Sequence, residues 1–595
     1  MNLALLIAIP LVFAFAVALS RPAQARLLAT IGTLLPVALY IVQALGFPWL
    51  RGETDFYNTD AIDLFPSLGV RLSLNADTVS MLLIGLTVLL GPICVIGSYT
   101  AVQDRLKTYY GWLLVLQAAM TGVFAARDAV LFFVFFEFTL VPMYILISLY
   151  GSTNRKAAAT KFFLYTFTGS VIMLAGLAYI AWVSATRTGE WSFDLTTLTV
   201  ASSEYLSNRE QAWVFGALML GFAVKVPLFP LHTWLPLAHT EAPTAGSVIL
   251  AGVLLKLGTY GMYKFVLPMC PEAALAYAPL VAVVSIIGIL YAGLICWVQT
   301  DVKKLVAYSS VSHLGFCVLG LFSMTSIGLT GSLLYMINHG LSTGALFLLI
   351  GMMYERYHTR SMKELGGLAA RMPVWATFMV FFVMSSVGLP GLNGFVSELY
   401  CLLGTFQAGD EWAHHPTRAG LGGPLGPWFA AVAAVGMIVG AMYLLYMVGK
   451  VVWGPLVEPH GHGAHAHGHR HSAGAPASAP SDAHAHLPAD LTPREIGILL
   501  PLAALCIFLG VYPRPVLKAL EGPTQQMVES LHMHTRGSLQ TPWPVGAPPP
   551  PRPAHTAPAA TDPHDVPANQ HPADEPPAAP ASGGAGAGSA QEAGH

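Results

Sequence analysis

The stretch GFAVKVPLFPLHTWLPLAHTEAPTAGSVILAGVLLKLGTYG, residues 221–261, decides the fold. Lys225 and Lys256 each sit inside an apolar run, and Pro227 and Pro230 follow the first lysine at once. A charge within a membrane helix costs about 2.5–3.5 kcal/mol on insertion scales, so such a residue marks an ion path or a buried pair. Proline removes a backbone donor, and unwound backbone at membrane depth is tolerated only where protein or water satisfies it. The expectation is a broken membrane helix carrying a buried charge.

The rest of the chain agrees. Its 595 residues are 54% hydrophobic and only 10% charged, with mean hydropathy +0.59, whereas a soluble domain carries about 25% charged residues. The fold class is all-α and polytopic, with the lipid bilayer as solvent. Runs of about 20 apolar residues, the length a bilayer requires, fall at 2–19, 27–46, 78–101, 109–126, 129–150, 162–184, 211–226, 245–267, 277–299, 303–322, 327–354, 373–405, 427–452 and 496–512. Ala-Gln-Ala at 23–25 resembles a signal-peptide cleavage site. No Lys or Arg precedes the first run, however, while Arg21 and Arg26 follow it, so a retained helix is expected. With the N-terminus outside, basic residues such as Arg105, Lys107, Arg155, Lys156, Arg356 and Arg360 gather in the inside loops. The net charge of −2 and the lack of a basic patch exclude a nucleic-acid partner. Six scattered cysteines form no CxxC or other ligand spacing, which indicates neither a disulfide framework nor a metal centre.

More ionisable groups interrupt apolar runs: Glu137 in LFFVFFEFTLVPMY, His313 in AYSSVSHLGF, His339 in YMINHGLSTGALF and Glu398 in GLPGLNGFVSELY. Gly388, Pro390 and Gly391 stand before Glu398, so a second break is expected there. Two broken, charge-bearing helices five segments apart fit two inverted five-helix repeats with a site at the midplane. The expected layout is a three-helix segment at 1–108, repeats at 109–267 and 277–452, a His-rich loop at 453–495, a C-terminal helix at 496–520 and a disordered Pro/Ala-rich tail at 521–595. Residues 458–490 contain eight histidines. Weak nickel or zinc binding is conceivable there, but a tolerated loop insertion is the simpler reading.

These groups point to protons. A lysine in low dielectric exchanges a proton near neutral pH, a nearby carboxylate opposes that, and histidine titrates in the same range. The expected proton path is Glu137, Lys225, Lys256, His313, His339 and Glu398, with entry from the inside near Lys225, whose charge state Glu137 sets, and exit to the outside through Glu398. A static Glu137–Lys225 pair is the competing account. His232 and His239 are expected to be structural or mouth-lining, and Asp301, Lys303 and Lys304 to anchor the inside surface.

The runs FFEFTLVPMYILI, KVPLFPLHTWLPLAHTEAPTAGSVILAGVLLKLGTYG, DVKKLVAYSSVSHLGF and GLPGLNGFVSELY, and the last helix in DLTPREIGILLPLAALCIFLGVYP, resemble the antiporter-like subunits of respiratory complex I. The resemblance covers about residues 75–512. It implies fourteen helices, ten of them in two inverted five-helix repeats, and it matches Glu137, Lys225, Lys256 and Glu398 to the family's charges on helices 5, 7, 8 and 12. His313 and His339 fall at polar positions of its central axis. Glutamate at 398, where the L- and N-type sisters generally carry lysine, favours the M-type (chain 4) subunit. The resemblance implies a proton channel in a bacterial inner membrane, driven by electron transfer in partner subunits. Those partners include the L- and N-type subunits, and they hold the FMN, iron–sulfur clusters and quinone; no cofactor is expected in this chain. The rival functions are a subunit of a multi-component Na+/H+ antiporter or membrane-bound hydrogenase, and a scaffold without a path of its own.

Overall fold

The computed structural model describes residues 3–49, 61–414, 423–459 and 489–535. Each of the fourteen apolar runs is helical in it. The first three are Leu3–Leu19, Pro22–Gly46 and Thr78–Gly97, followed by Leu106–Ala125, Ala129–Tyr150, Arg155–Thr188, Asn208–Lys225 and Thr244–Met269. Pro271–Trp297, Val302–Phe322 and Ser326–Tyr357 come next, then the split pair Pro373–Val387 and Asn393–His414, then Pro427–Val451 and Pro493–Val511. Among the described residues, ten helices are long and apolar enough to cross a bilayer. Leu3–Leu19 is shorter, at 17 residues. Asn208–Lys225 has only 18, three of them the charges Arg209, Glu210 and Lys225.

Polar caps set where the helices start. Asp128 Oδ1 accepts from the Val130 and Leu131 amides at 2.8 and 3.0 Å, and Asp301 Oδ1 does the same for Lys303 and Lys304. Thr492 and Glu495 form a reciprocal capping box on the last helix. Such side chains satisfy amides that a helix start leaves without partners.

The core belongs to three helices. Thr244–Met269, Val302–Phe322 and Ser326–Tyr357 are buried over nearly their whole apolar length, whereas Pro22–Gly46 and Pro493–Val511 leave most of theirs exposed. Lys256, His313 and His339 all lie on the core trio, so the polar groups face protein and the outer helices supply the apolar surface.

Two elements lie outside the expected layout. A small antiparallel hairpin pairs Ile62–Phe65 with Val70–Leu72, turning at Gly69, within an otherwise helical fold. It is too short to stand out in a search for long apolar runs. Residues Arg514–His534 form a helix, so residues 521–534 are not part of a disordered tail. That helix is amphipathic: Leu520, Val528 and Leu531 are buried, and Thr524 Oγ1 meets Thr330 Oγ1 at 3.1 Å and Ser326 Oγ at 3.2 Å. Spacing of three to four residues makes such a face without any continuous apolar run. Most of the His-rich loop, and the chain after 535, lie outside the described residues.

The last membrane helix is tied to the core by charge. Arg356 at the end of Ser326–Tyr357 forms a two-pronged pair with Glu495, at 2.9 and 2.8 Å, and also donates to the Ala489 carbonyl at 2.8 Å. Both side chains are largely buried. Truncating one partner of a buried pair costs about 3–5 kcal/mol, because the other charge stays behind unpaired. Arg356→Ala is expected to lower the heat tolerance of the intact assembly, read on a native gel after a heat step; unchanged tolerance would contradict the clamp.

Candidate functional site

Lys256 is the centre. Its helix widens into π turns at Leu250–Leu254 and Met262–Val266, the first ending two residues before the lysine. Lys256 Nζ donates to the Ala251 carbonyl and lies 2.7 Å from His339 Nδ1. Two glycines allow this approach. A Cβ on Gly340 would stand 2.8 Å from the Gly252 carbonyl oxygen, and one on Gly252 would stand 2.5 Å from Leu90 Cδ1. The backbones on either side of the lysine–histidine contact therefore touch directly.

From His339 the polar groups continue across the core. The His339 and His313 ring centroids are 5.9 Å apart. His313 Nδ1 is 2.8 Å from the Tyr335 hydroxyl and 3.4 Å from Glu398 Oε1, and Tyr335 donates to that same oxygen at 2.5 Å. The Tyr443 hydroxyl faces His313 Nε2 at 3.4 Å. Lys256, His339, His313 and Glu398 are thus brought together, all buried.

Glu398 sits beside the second break. The chain leaves its helix at Gly388 (φ +82), passes Pro390 and Gly391 (φ +93), and resumes at Asn393. Asn393 and Asn338 cross-link the break: Asn338 Nδ2 donates to the Asn393 carbonyl at 2.7 Å, and Ser385 Oγ to Asn393 Oδ1 at 2.5 Å. A Cβ at Gly388 would stand 2.8 Å from Glu398 Oε2. Left-handed backbone costs a side-chain-bearing residue about 1–2 kcal/mol, and here the added methyl also displaces the carboxylate. Gly388→Ala is expected to cut NADH-driven acidification by about tenfold or more while assembly persists; wild-type acidification would contradict this.

The first break follows Lys225, the last residue of Asn208–Lys225. The chain runs irregularly through Pro227 and Pro230 to a short helix, Leu235–Glu241. The Leu228 amide bonds back to Ala223 at 2.9 Å, and the Trp234 indole takes up the Val224 carbonyl at 2.9 Å. A half-helix C-terminus presents carbonyls that favour a cation. Lys225 Nζ lies 4.4 Å from the Phe136 ring centroid and 3.4 Å from Thr139 Oγ1. Thr139 interrupts the helix Ala129–Tyr150, three residues before Pro142.

Glu137 and Lys225 feel each other's charge but form no ion pair within 4.0 Å among the described residues. Glu137 is half-buried, with Oε1 unpartnered. The helix of Lys256 packs directly on the end of the Lys225 helix: a Cβ on Gly258 would stand 2.6 Å from Val226 Cγ2 and 2.8 Å from the Phe222 carbonyl oxygen.

Three further residues complete the picture. Lys303, expected at the surface, is buried, and its Nζ donates to the Ala242 carbonyl at 2.6 Å. With Glu241 it lines a cavity of about 660 Å³ at the end of the bundle bearing Arg360. Lys225 is not among the residues lining it. His239 is fully buried just beyond, stacked on Phe347 at 4.7 Å, with both ring nitrogens unpartnered and within the fields of Lys303 and Lys256. His232 lies among Phe229, Tyr291 and Tyr308, as a structural residue would. Among the described residues, no group of three or more His, Cys, Asp and Glu side chains is placed to hold a metal ion.

Residues 126–416 match the family model described as NADH:quinone oxidoreductase/Mrp antiporter, TM. NADH-quinone oxidoreductase subunit M of Rhodobacter capsulatus is 39% identical over 469 residues, covering 78% of this chain and 83% of the relative. The chain belongs to the subunit M/chain 4 family. NADH-ubiquinone oxidoreductase chain 4 of Marchantia polymorpha is 36% identical over 534 residues, 89% of this chain and 97% of the relative. Respiratory complex I from Thermus thermophilus contains a chain that superposes with TM-score 0.74 at 28% identity, covering 89% of this chain and 99% of that one. A chain of the Mrp complex from Dietzia sp. DQ12-45-1b matches with TM-score 0.71 at 22% identity, covering 90% and 99%, which shows a shared fold. As a member of this family the chain is an integral, multi-pass membrane protein.

Proposed function

We propose that this chain is a proton-translocating membrane subunit of a NADH–quinone oxidoreductase in a bacterial plasma membrane, providing one proton channel. The observation that carries it is the succession of buried titratable groups from Lys256 through His339 and His313 to Glu398. Charges in a membrane core are retained where they serve an ion path or pair, and here they form a line across the core rather than an isolated pair.

The proton enters from the inside cavity, past Lys303 and His239, to Lys256. It then moves through the two histidines to Glu398 and leaves toward the outside. The cavity supports this entry over one beside Lys225. Glu137 and Lys225 act from the side: their separation sets the field at the break, with the drive coming from neighbouring L- and N-type subunits. The FMN, iron–sulfur clusters and quinone belong to partner subunits, so this chain alone oxidises no NADH.

The antiporter or hydrogenase alternative shares the fold. Glu398 and the identity to subunit M relatives favour the NADH–quinone oxidoreductase. Membrane vesicles carrying Glu398→Gln provide the test, with assembly checked on a native gel. NADH oxidation and NADH-driven acidification are expected to fall together, by about tenfold. Wild-type levels of both, in an assembled complex, would remove Glu398 from the path.

A further inference from the structure

The direct contact between the last two titratable groups, His313 and Glu398, is long. His313 Nδ1 and Glu398 Oε1 are 3.4 Å apart, beyond the roughly 2.7–3.2 Å of a good N–H···O hydrogen bond. The Tyr335 hydroxyl bridges them with two shorter legs, 2.8 Å to the histidine and 2.5 Å to the carboxylate. Its single proton is donated to Glu398, so toward His313 the phenol oxygen can only accept. That places a proton on His313 Nδ1 and leaves Nε2 as the acceptor facing Tyr443. All four side chains are buried.

We propose that Tyr335 is a relay: protons cross from His313 to Glu398 by a paired shift through its hydroxyl. This rests on the axis being a proton path. A proton reaching His313 Nε2 makes an imidazolium. The Nδ1 proton then moves to the phenol oxygen as the phenol's own proton moves to the Glu398 carboxylate. One N–H and one O–H bond break, one O–H bond forms on Tyr335 and one on Glu398. His313 ends neutral and Tyr335 is a phenol throughout. A phenol suits the task because its ordinary pKa of about 10 keeps it protonated before and after, so no buried tyrosinate is needed. The sequence alone does not reveal this role, since a tyrosine in an apolar helix is unremarkable in composition.

Tyr335→Phe removes the hydroxyl and keeps the ring. In vesicles with the assembled complex, NADH-driven acidification is expected to fall by about fivefold or more, and the solvent deuterium isotope effect on the residual rate is expected to change. Wild-type acidification would overturn the relay. So would a fall with an unchanged isotope effect, which would assign Tyr335 to packing. Glu398→Gln in parallel separates the failures: if it blocks pumping while Tyr335→Phe does not, the axis stands and the relay falls. If neither matters, the axis itself is wrong. Should Tyr335→Phe fail to assemble, difluorotyrosine at 335, which keeps shape and hydroxyl, is expected to alter rate and isotope effect; wild-type values would overturn the proposal.

Discussion

Replacing Lys256 with methionine is expected to abolish NADH-driven acidification while the complex still assembles. Methionine fills nearly the same volume as the lysine stem and adapts to irregular spaces, so packing against the core survives. What disappears is the group that touches both the Ala251 carbonyl and His339 Nδ1. On the proposed path Lys256 stands where the route from the cavity meets the histidines, and His239 and His339 both lie in its field. Without it, a proton at the cavity meets an apolar gap. The loss should exceed about tenfold, equivalent to about 1.4 kcal/mol in barrier, and NADH oxidation should fall with it if the two are tightly coupled. A scaffold without a path of its own would keep pumping after this change.

Glu137→Gln is expected to have an effect of similar size by a different route. Glutamine matches the carboxylate in shape but carries no charge, so the change is almost purely electrostatic. At an effective dielectric of 20, two unit charges 4 Å apart interact by about 4 kcal/mol. Glu137 and Lys225 lie farther apart than that, with Lys225 buried and Glu137 half-buried, so their interaction is smaller. Lys225 has no carboxylate in contact and only a ring face and a threonine hydroxyl beside it. Removing Glu137 would therefore change the field at the first break more than any contact. NADH oxidation and acidification are expected to collapse together, with normal assembly on a native gel. If both stay near wild type, the pair is static structure, and the field at the break does not drive the path.

The sequence revealed the axis because its members break a rule. Lysine, glutamate and histidine inside apolar runs are costly in any arrangement, so Lys256, His313, His339 and Glu398 stand out without a structure. Proline and glycine clusters betrayed both breaks for an equally local reason. The Glu137–Lys225 expectation was only half legible: charge and depth are written in the sequence, but the separation depends on how Phe136 and Thr139 turn at the helix interruption.

The rest needed three dimensions. Lys303 looks like any lysine at a helix boundary, and only the loops around residues 98–104, 241–244 and 354–360 show that it lines a cavity. Tyr335 and Tyr443 are common residues whose value lies in what they touch. Asn338 and Asn393 are far apart in sequence and meet only because the second break exposes the Asn393 carbonyl. The helix Arg514–His534 was overlooked for a simpler reason, since a search for continuous apolarity cannot see an amphipathic surface helix.

The most direct test of the axis compares acidification rates for Lys256→Arg, Glu398→Asp and the two combined, all in assembled complexes. These mild changes leave activity to measure. Groups that act as one unit are strongly non-additive. The expected result is that the double variant pumps about as fast as the slower single variant. If each single change slows pumping and the double loses the product of the two effects, Lys256 and Glu398 act independently, and a single continuous path between them is wrong.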